Sequence, residues 1–112
     1  MITLKIVDII GSKNAVTHAF GVKVFDAISK HFANGEKVFL SFQGVKNVTS
    51  GFANGSIGKI YSEFKEASEL LTIGGLEGKT VWIEKIENAK QLGSNPQIAK
   101  VQNNAIYELL QS

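Results

Sequence analysis

The pattern of apolar and polar positions along the chain predicts three β-strands. Residues 2–7 alternate between apolar and polar side chains, which is typical of a half-buried strand. Residues 37–42 are rich in β-branched and aromatic side chains and predict the second strand. Residues 80–86 have the same character and predict the third. Residues 70–78 are compatible with a short strand and a turn, which would make a fourth strand.

Helical spacing of apolar side chains predicts helices between and after these strands. The first covers about residues 15–32, and Gly21 either interrupts it or marks its start. The Asn-Gly pair at residues 34–35 is typical of a left-handed C-terminal cap. Residues 50–65 predict the second helix. Ser94-Asn95-Pro96 predicts the start of a third, with one of the first two residues as the cap and proline in the first helical position.

The order strand, helix, strand, helix, strand, helix predicts an α/β fold. We expect a single layer of three or four strands, at least partly parallel, covered by helices. No internal repeat or linker divides the 112 residues, and this length is typical of one domain. The sequence therefore predicts a single domain over residues 1–112.

Charge narrows the possible functions. The chain has twelve lysines, no arginine and ten acidic residues, which gives a net charge of +2. The lysines are scattered among the acids rather than gathered in one run. Nucleic-acid binding depends on neutralising phosphates, and arginine is the usual reader of guanine. The sequence therefore predicts no sequence-specific binding to nucleic acid.

Cysteine usage and hydropathy indicate a cytoplasmic protein. Cysteine is absent, which excludes disulfides and thiolate metal sites. No apolar run is long enough to span a membrane. The first ten residues lack the basic start and the cleavage site of a signal peptide. We therefore expect a cytoplasmic location and no association with membranes.

The segment VTSGFANGSIGKI, residues 48–60, resembles a phosphate-binding loop but lacks the residues that such a loop needs. A nucleotide P-loop has a glycine five positions before its Gly-Lys pair and a serine or threonine after it. Here these positions hold Ala53 and Ile60. The two histidines, His18 and His31, are too far apart in sequence to suggest a metal cluster. With no nucleophile and base pair in view, we expect a non-enzymatic protein without a cofactor.

The same segment predicts a capped helix start. Thr49 or Ser50 is suited to accept a hydrogen bond from an amide two or three residues later. The free amides and the dipole at this end also attract anions. Three interpretations stay open: plain capping, a phosphorylation switch, or a site that holds a small anion or nucleotide without hydrolysing it. The candidate binding or phospho-acceptor residues are Thr49, Ser50, Gly51, Phe52, Asn54, Ser56 and Lys59.

A longer block, FDAISKHFANGEKVFLSFQGVKNVTSGFANGSIGKI, resembles the bacterial and phage family of STAS-like domains of uncharacterised function. The matching features are the turn at residues 35–37, the strand at 38–42, the Gly-Val pair at 44–45, the run at 48–53 and the Gly-Lys pair at 58–59. The resemblance covers about residues 20–110. It implies a STAS-like fold over most of the chain.

The resemblance also implies a regulatory role. In the related anti-sigma factor antagonists, a serine at the start of the helix after the second core strand is phosphorylated by a GHKL-type ATPase kinase, and the phosphoryl group breaks the contact with the partner. Ser50 falls at that position. The antagonists have aspartate where this chain has Thr49, and the STAS-like family usually has an acid where it has Ser41.

Two functions are therefore expected, in order. The first is a regulatory or adaptor domain that binds a protein partner, such as a GHKL-type kinase or an anti-sigma-like factor, with Ser50 or Thr49 as the modifiable residue. The alternative is a module that binds a small anion or nucleotide at the start of the second helix. Self-association through that helix is also expected to be possible, because Gly55 and Gly58 allow close approach.

Overall fold

The structure is a computed structural model that describes residues 1–94 as a parallel sheet with helices packed on it. A π turn interrupts the second of its three longer helical segments. In chain order the elements are β1 (Ile2–Lys5), α1 (Ile6–Ile10), β2 (Asn14–Ala15), α2 (His18–Ala33), β3 (Val38–Ser41), β4 (Asn47–Val48), α3 (Ser50–Ala53), the π turn (Asn54–Gly58), α4 (Lys59–Glu63), α5 (Ala67–Leu70), β5 (Leu71–Gly74) and α6 (Thr80–Ser94).

The main sheet has three parallel strands in the order β1-β3-β5, so the predicted α/β class is confirmed. Leu4 pairs in register with Leu40, which pairs with Ile73. Alternation places these apolar residues on one face of the sheet and the exposed Thr3 and Thr72 on the other. Parallel strands need crossover connections, and helices supply them by returning the chain from the carboxyl edge of the sheet to its amino edge.

Helix α2 forms where the spacing predicted it, and it passes through Gly21 without interruption. It begins after Thr17, whose side chain accepts a hydrogen bond from the amide of Phe20 at 3.0 Å. Beyond its last residue, Gly35 has a φ of 73°. The left-handed conformation predicted for the Asn-Gly pair is therefore confirmed, since glycine adopts it without steric cost.

The predicted third strand is wrong, because residues 80–86 belong to helix α6. Their β-branched and aromatic side chains favour a strand locally. However, the buried residues Ile86, Ala89 and Gly93 follow one another at spacings of three and four, which places them on one helical face. Packing of that face overrides the local preference. The third strand is instead Leu71–Gly74, within the stretch that was compatible with a short strand.

The first strand is shorter than predicted. It ends at Lys5, and residues 6–10 form helix α1, with Ile6 and Ile10 buried one turn apart on the same side. The alternation in residues 2–7 does not distinguish a strand from a short helix whose two isoleucines face the core.

Within residues 1–94, no helix is both long and apolar enough to cross a membrane.

The predicted third helix falls mostly outside the described residues. Ser94, which was proposed as part of its start, is instead the last described residue of α6. The remainder of that prediction, from Asn95 onwards, lies outside residues 1–94.

Segment Ser50–Glu63 is one continuous helical run, here called the central helix, made of α3, the π turn and α4. The predicted second helix is therefore confirmed to within two residues. At the π turn the amide of Lys59 donates to the carbonyl of Asn54, five residues back. The caps that join the three segments keep right-handed helical dihedrals, so the axis continues through the turn.

Glycines let the central helix touch the helices on either side. A Cβ on Gly21 of α2 would lie 2.6 Å from the carbonyl oxygen of Phe52, and one on Gly55 would lie 2.9 Å from His18 Nδ1. On the other side, a Cβ on Gly58 would lie 3.2 Å from the carbonyl oxygen of Ala89. Gly55 and Gly58 therefore allow close approach within the domain, to the helices α2 and α6.

The contact at Gly21 gives a direct test of this packing. We expect Gly21→Ala to lower the free energy of unfolding by about 1–3 kcal/mol, because the added methyl group overpacks a backbone-to-backbone contact. Denaturant unfolding of the full chain measures the change.

Gly51→Ala is the matched control for this test. Gly51 is also helical, but its exposed position leaves a Cβ no neighbour closer than Thr49 Oγ1 at 3.9 Å. It should stabilise the protein by about 0.5–1 kcal/mol, because alanine is the better helix former. Equal effects of the two substitutions would contradict the close contact between α2 and the central helix.

Candidate functional site

The start of the central helix lies at the carboxyl edge of the main sheet. The chain leaves β3 at Ser41, crosses a short loop and reaches Ser50 after β4. Open α/β sheets commonly bind ligands at this edge. The hydroxyl of Ser41 accepts a hydrogen bond from the amide of Gln43 at 3.2 Å, so it helps to hold the first turn of that loop.

A two-stranded parallel ribbon supports this edge. Strand β2 pairs with β4, with Asn14 opposite Asn47. The Asn47 amide nitrogen Nδ2 donates to Asn14 Oδ1 at 2.6 Å. The backbone amide of Lys46 donates to the carbonyl of Lys13 at 2.7 Å, which extends the pairing by one position. The ribbon brings two segments that are distant in sequence to the point where the central helix begins.

Thr49 caps the central helix and fastens it to this ribbon. Its hydroxyl oxygen accepts from the amide of Phe52 at 3.2 Å and donates to the carbonyl of Val16 at 3.0 Å. Its own amide donates to the carbonyl of Ala15 at 3.2 Å. The sequence allowed either Thr49 or Ser50 as the cap, and the structure assigns this role to Thr49.

Ser50 stands at the first helical position and is exposed. Because Thr49 supplies the cap, the Ser50 hydroxyl is left at the surface of the carboxyl edge. The neighbouring Gly51 and Asn54 are also exposed, and the side chain of Val16 is 40% exposed on the adjoining segment. The carboxyl edge therefore presents a small surface of mixed polarity around Ser50.

The seven residues predicted as candidates do not all reach this surface. Phe52 and Ser56 are completely buried. The Ser56 hydroxyl donates to the carbonyl of Phe52 at 2.8 Å, back within its own helix. These two residues can only position the others. Lys59 is partly buried, with its ammonium group 4.4 Å from the centroid of the Phe25 ring.

Lys85 is a residue of this site that sequence reasoning missed. Its ammonium group donates to the carbonyl of Val48 at 3.0 Å, at the end of β4 and just before the cap. The strand predicted for residues 80–86 concealed this contact. If residues 80–86 had been treated as a helix, Lys85 would have fallen one turn from Val81 and from Asn88. That position is beside the buried stripe of α6 rather than within it.

A groove continues from this edge along the central helix. It has a volume of about 270 Å³ and lies between the start of α2, the π turn and α6. Polar side chains lining it are those of His18, Asn54, Lys59 and Ser62.

A second cavity of about 330 Å³ lies at the opposite end of the central helix, between Tyr61, Phe64 and Gly93, away from Ser50. Within residues 1–94, no group of three or more His, Asp or Glu side chains could hold a metal ion.

Comparison with known families is consistent with this arrangement of strands and helices. A family model described as a STAS-like domain of unknown function (DUF4325) matches residues 21–80, which is more than half of the chain. The chain belongs to this family. The resemblance proposed from the sequence is confirmed over these residues. No curated protein and no solved structure matches the chain significantly.

The match covers the central helix and β4 but neither the whole site nor the whole described fold. Residues 21–80 of the STAS-like domain include β3, the ribbon strand β4, the central helix and β5. They exclude β1, which forms one edge of the sheet, and all of α6 except its first residue. Membership of this family is compatible with a regulatory domain, and STAS-like domains are generally non-catalytic.

The assignment of the helix cap to Thr49 rather than Ser50 can be tested by measuring the free energy of unfolding. Thr49→Ala should lower the free energy of unfolding by about 1–2 kcal/mol, because it removes the helix cap and the bond to Val16. Ser50→Ala should change it by less than about 0.5 kcal/mol, as is usual for an exposed position. Thr49→Ser keeps the hydroxyl and is the matched control. A larger loss from Ser50→Ala than from Thr49→Ala would show that Ser50 is the cap.

Proposed function

We propose that this STAS-like domain is a non-enzymatic regulatory or adaptor protein that binds a protein partner at the carboxyl edge of its sheet. The contact surface is formed by Ser50, Gly51 and Asn54, with Val16 beside them. Phosphorylation of Ser50 switches the contact off. The observation that carries the proposal is the exposed Ser50 hydroxyl, released from capping by Thr49.

The geometry supports Ser50 rather than Thr49 as the acceptor of the phosphoryl group. The Thr49 hydroxyl already takes part in two hydrogen bonds, one to each neighbouring segment. Modifying it would break the cap and the bond to Val16. Modifying Ser50 would add charge at the surface and leave both bonds in place.

The electrostatics of the helix start would tolerate this modification. A phosphoryl group carries a charge of about −1.5 to −2 at pH 7, and a helix N-terminus favours negative charge. The Lys85 ammonium group at the end of β4 adds a positive charge to the same region. The modified domain should therefore stay folded while a large, hydrated anion stands in the middle of the contact surface. Loss of binding would follow from the altered surface and not from unfolding.

The class of enzyme and partner follows from the family resemblance. Related antagonists are phosphorylated by GHKL-type ATPase kinases and bind anti-sigma-like factors, so we propose partners of these types. Self-association remains a separate prediction. It cannot use Gly55 and Gly58 as supposed from the sequence, because both residues are buried against α2 and α6.

The alternative function, a module that holds a small anion or nucleotide, rests on the same helix start alone. A helix N-terminus attracts anions in any protein, so this feature does not distinguish a ligand site from a capped helix. This alternative stays a prediction from the sequence. Thermal stabilisation by phosphate-containing ligands would be its test.

The switch can be tested by capture of partners from the native host. Unmodified protein and Ser50→Ala should retain the same partner, whereas Ser50→Asp should lose it because a fixed negative charge replaces the hydroxyl. Intact-mass analysis and peptide mapping of the recovered chain should find a phosphoryl group on Ser50.

Ser68→Asp is the matched control for the switch, because Ser68 is an exposed serine of α5, at the other end of the helices. It adds the same charge and should leave capture unchanged. Equal capture by Ser50→Ala and Ser50→Asp would exclude the switch and leave a constitutive adaptor.

A further inference from the structure

The two chain segments that form the face around Ser50 contain no carboxylate. Residues 9–25 and residues 37–62 lack both aspartate and glutamate, so all ten acids of the chain lie elsewhere. Both segments contain lysines. The acids and lysines look scattered along the sequence, but the fold separates them by bringing these two segments together.

Three sets of contacts join the segments into one continuous face. At the carboxyl edge, the Lys46 amide donates to the carbonyl of Lys13, and both side chains are exposed. Next, Thr49 bonds to Val16. Further along the helices, a Cβ on Gly55 would meet His18. The face therefore runs from the ribbon, past Ser50, into the groove.

Within residues 1–94, the lysines of this face form no ion pair. The two ion pairs there join His31 to Glu36 and Lys90 to Glu87, and neither involves Lys13, Lys46 or Lys59. Lys13 and Lys46 stand opposite one another, directly before the paired strands β2 and β4, where like charges are unfavourable. Lys59 lines the groove together with His18. A negatively charged partner would remove this repulsion.

We infer that this face binds an acidic polypeptide segment of the partner protein. Carboxylates of the segment would pair with Lys13 and Lys46 at the ribbon, and the segment would continue past Ser50 into the groove at Lys59. This inference rests on the proposed function, because it names the class of partner that the Ser50 surface takes. It also gives the switch a mechanism, since a phosphoryl group on Ser50 would occupy and neutralise the cations that the acidic segment needs.

The composition of the face favours an acidic polypeptide over nucleic acid. The chain has no arginine, and no aromatic side chain is among the well-exposed large apolar residues of the described chain. Single-stranded nucleic acids are held by stacking on aromatic side chains as well as by cations. Exposed asparagines, at Asn14, Asn47 and Asn54, instead supply amide donors that suit carboxylates.

The test uses an oligoglutamate peptide as the probe and the isotope-labelled full chain as the target. In amide chemical-shift titrations, we expect shifts at residues 13–18 and 46–59, with a dissociation constant that rises with salt. Lys13→Glu with Lys46→Glu should raise that constant by at least about tenfold, because reversing two exposed contacts costs on the order of 1.4 kcal/mol. Lys59→Glu should also weaken binding, and the amide spectrum of each variant shows whether it has folded.

Lys30→Glu with Lys65→Glu is the matched control, because it changes the net charge equally at two exposed positions away from the face. It should alter the dissociation constant by less than about twofold, as general screening predicts. Equal weakening by the two double variants, or shifts spread over all lysines, would overturn the inference. Tighter binding of oligothymidylate than of oligoglutamate would overturn it in favour of nucleic acid.

Failure of this inference can be told apart from failure of the proposed function. Suppose that capture of a partner depends on Ser50 but does not change in Lys13→Glu with Lys46→Glu. The switch then stands, and the acidic character of the partner is wrong. Suppose instead that oligoglutamate binds this face while capture is the same for Ser50→Ala and Ser50→Asp. The acidic class of ligand then stands, and the switch is wrong.

Discussion

The close approach of backbones at Gly21 and Gly55 is the constraint on which the rest of the structure depends. It lets α2 and the central helix pack with almost no side chain between them. Gly58 and Gly93 do the same between the central helix and α6, where a Cβ on Gly93 would collide with the carbonyl oxygen of Gly58. The three helices therefore form a tight layer over the apolar face of the sheet, and the sheet positions their ends.

This packing also fixes the surface at the carboxyl edge. Because α2 and the central helix touch, the segment before each helix is held beside the other, and Thr49 can reach the carbonyl of Val16. Because α6 touches the central helix, Lys85 can reach the carbonyl of Val48. The start of the central helix is thus supported from both sides, and Ser50 projects from a rigid base.

The fold class and the candidate helix could be predicted from the sequence because their signals are local. The apolar run in β3, the Asn-Gly cap after α2 and the Thr-Ser start of the central helix each lie within a few residues. The third strand could not be placed, because residues 80–86 favour a strand until the stripe that continues to Gly93 is included. The ribbon β2-β4 has only two residues in each strand, too few to leave a periodic pattern.

The candidate site, like the fold, could be predicted only in part from the sequence. The sequence allowed both Ser50 and Thr49 as the cap. The structure decides between them, because the Phe52 amide donates to the Thr49 hydroxyl while that hydroxyl is held by the distant carbonyl of Val16. Ser56 was included because its hydroxyl lies in a polar run, whereas the helix buries it. Lys13, Lys46 and Lys85 were missed because their proximity to Ser50 arises only when distant segments meet.

The bond between Thr49 and Val16 has a consequence for the order of folding. Its partners are 33 positions apart, and the chain between them includes all of α2 and β3. Closing such a loop costs entropy that only the completed contacts offset. The start of the central helix should therefore become ordered late in folding, once α2 and β3 are in place. A kinase would therefore meet the Ser50 surface only on the completed fold, because this surface exists only after the segments before both helices have come together.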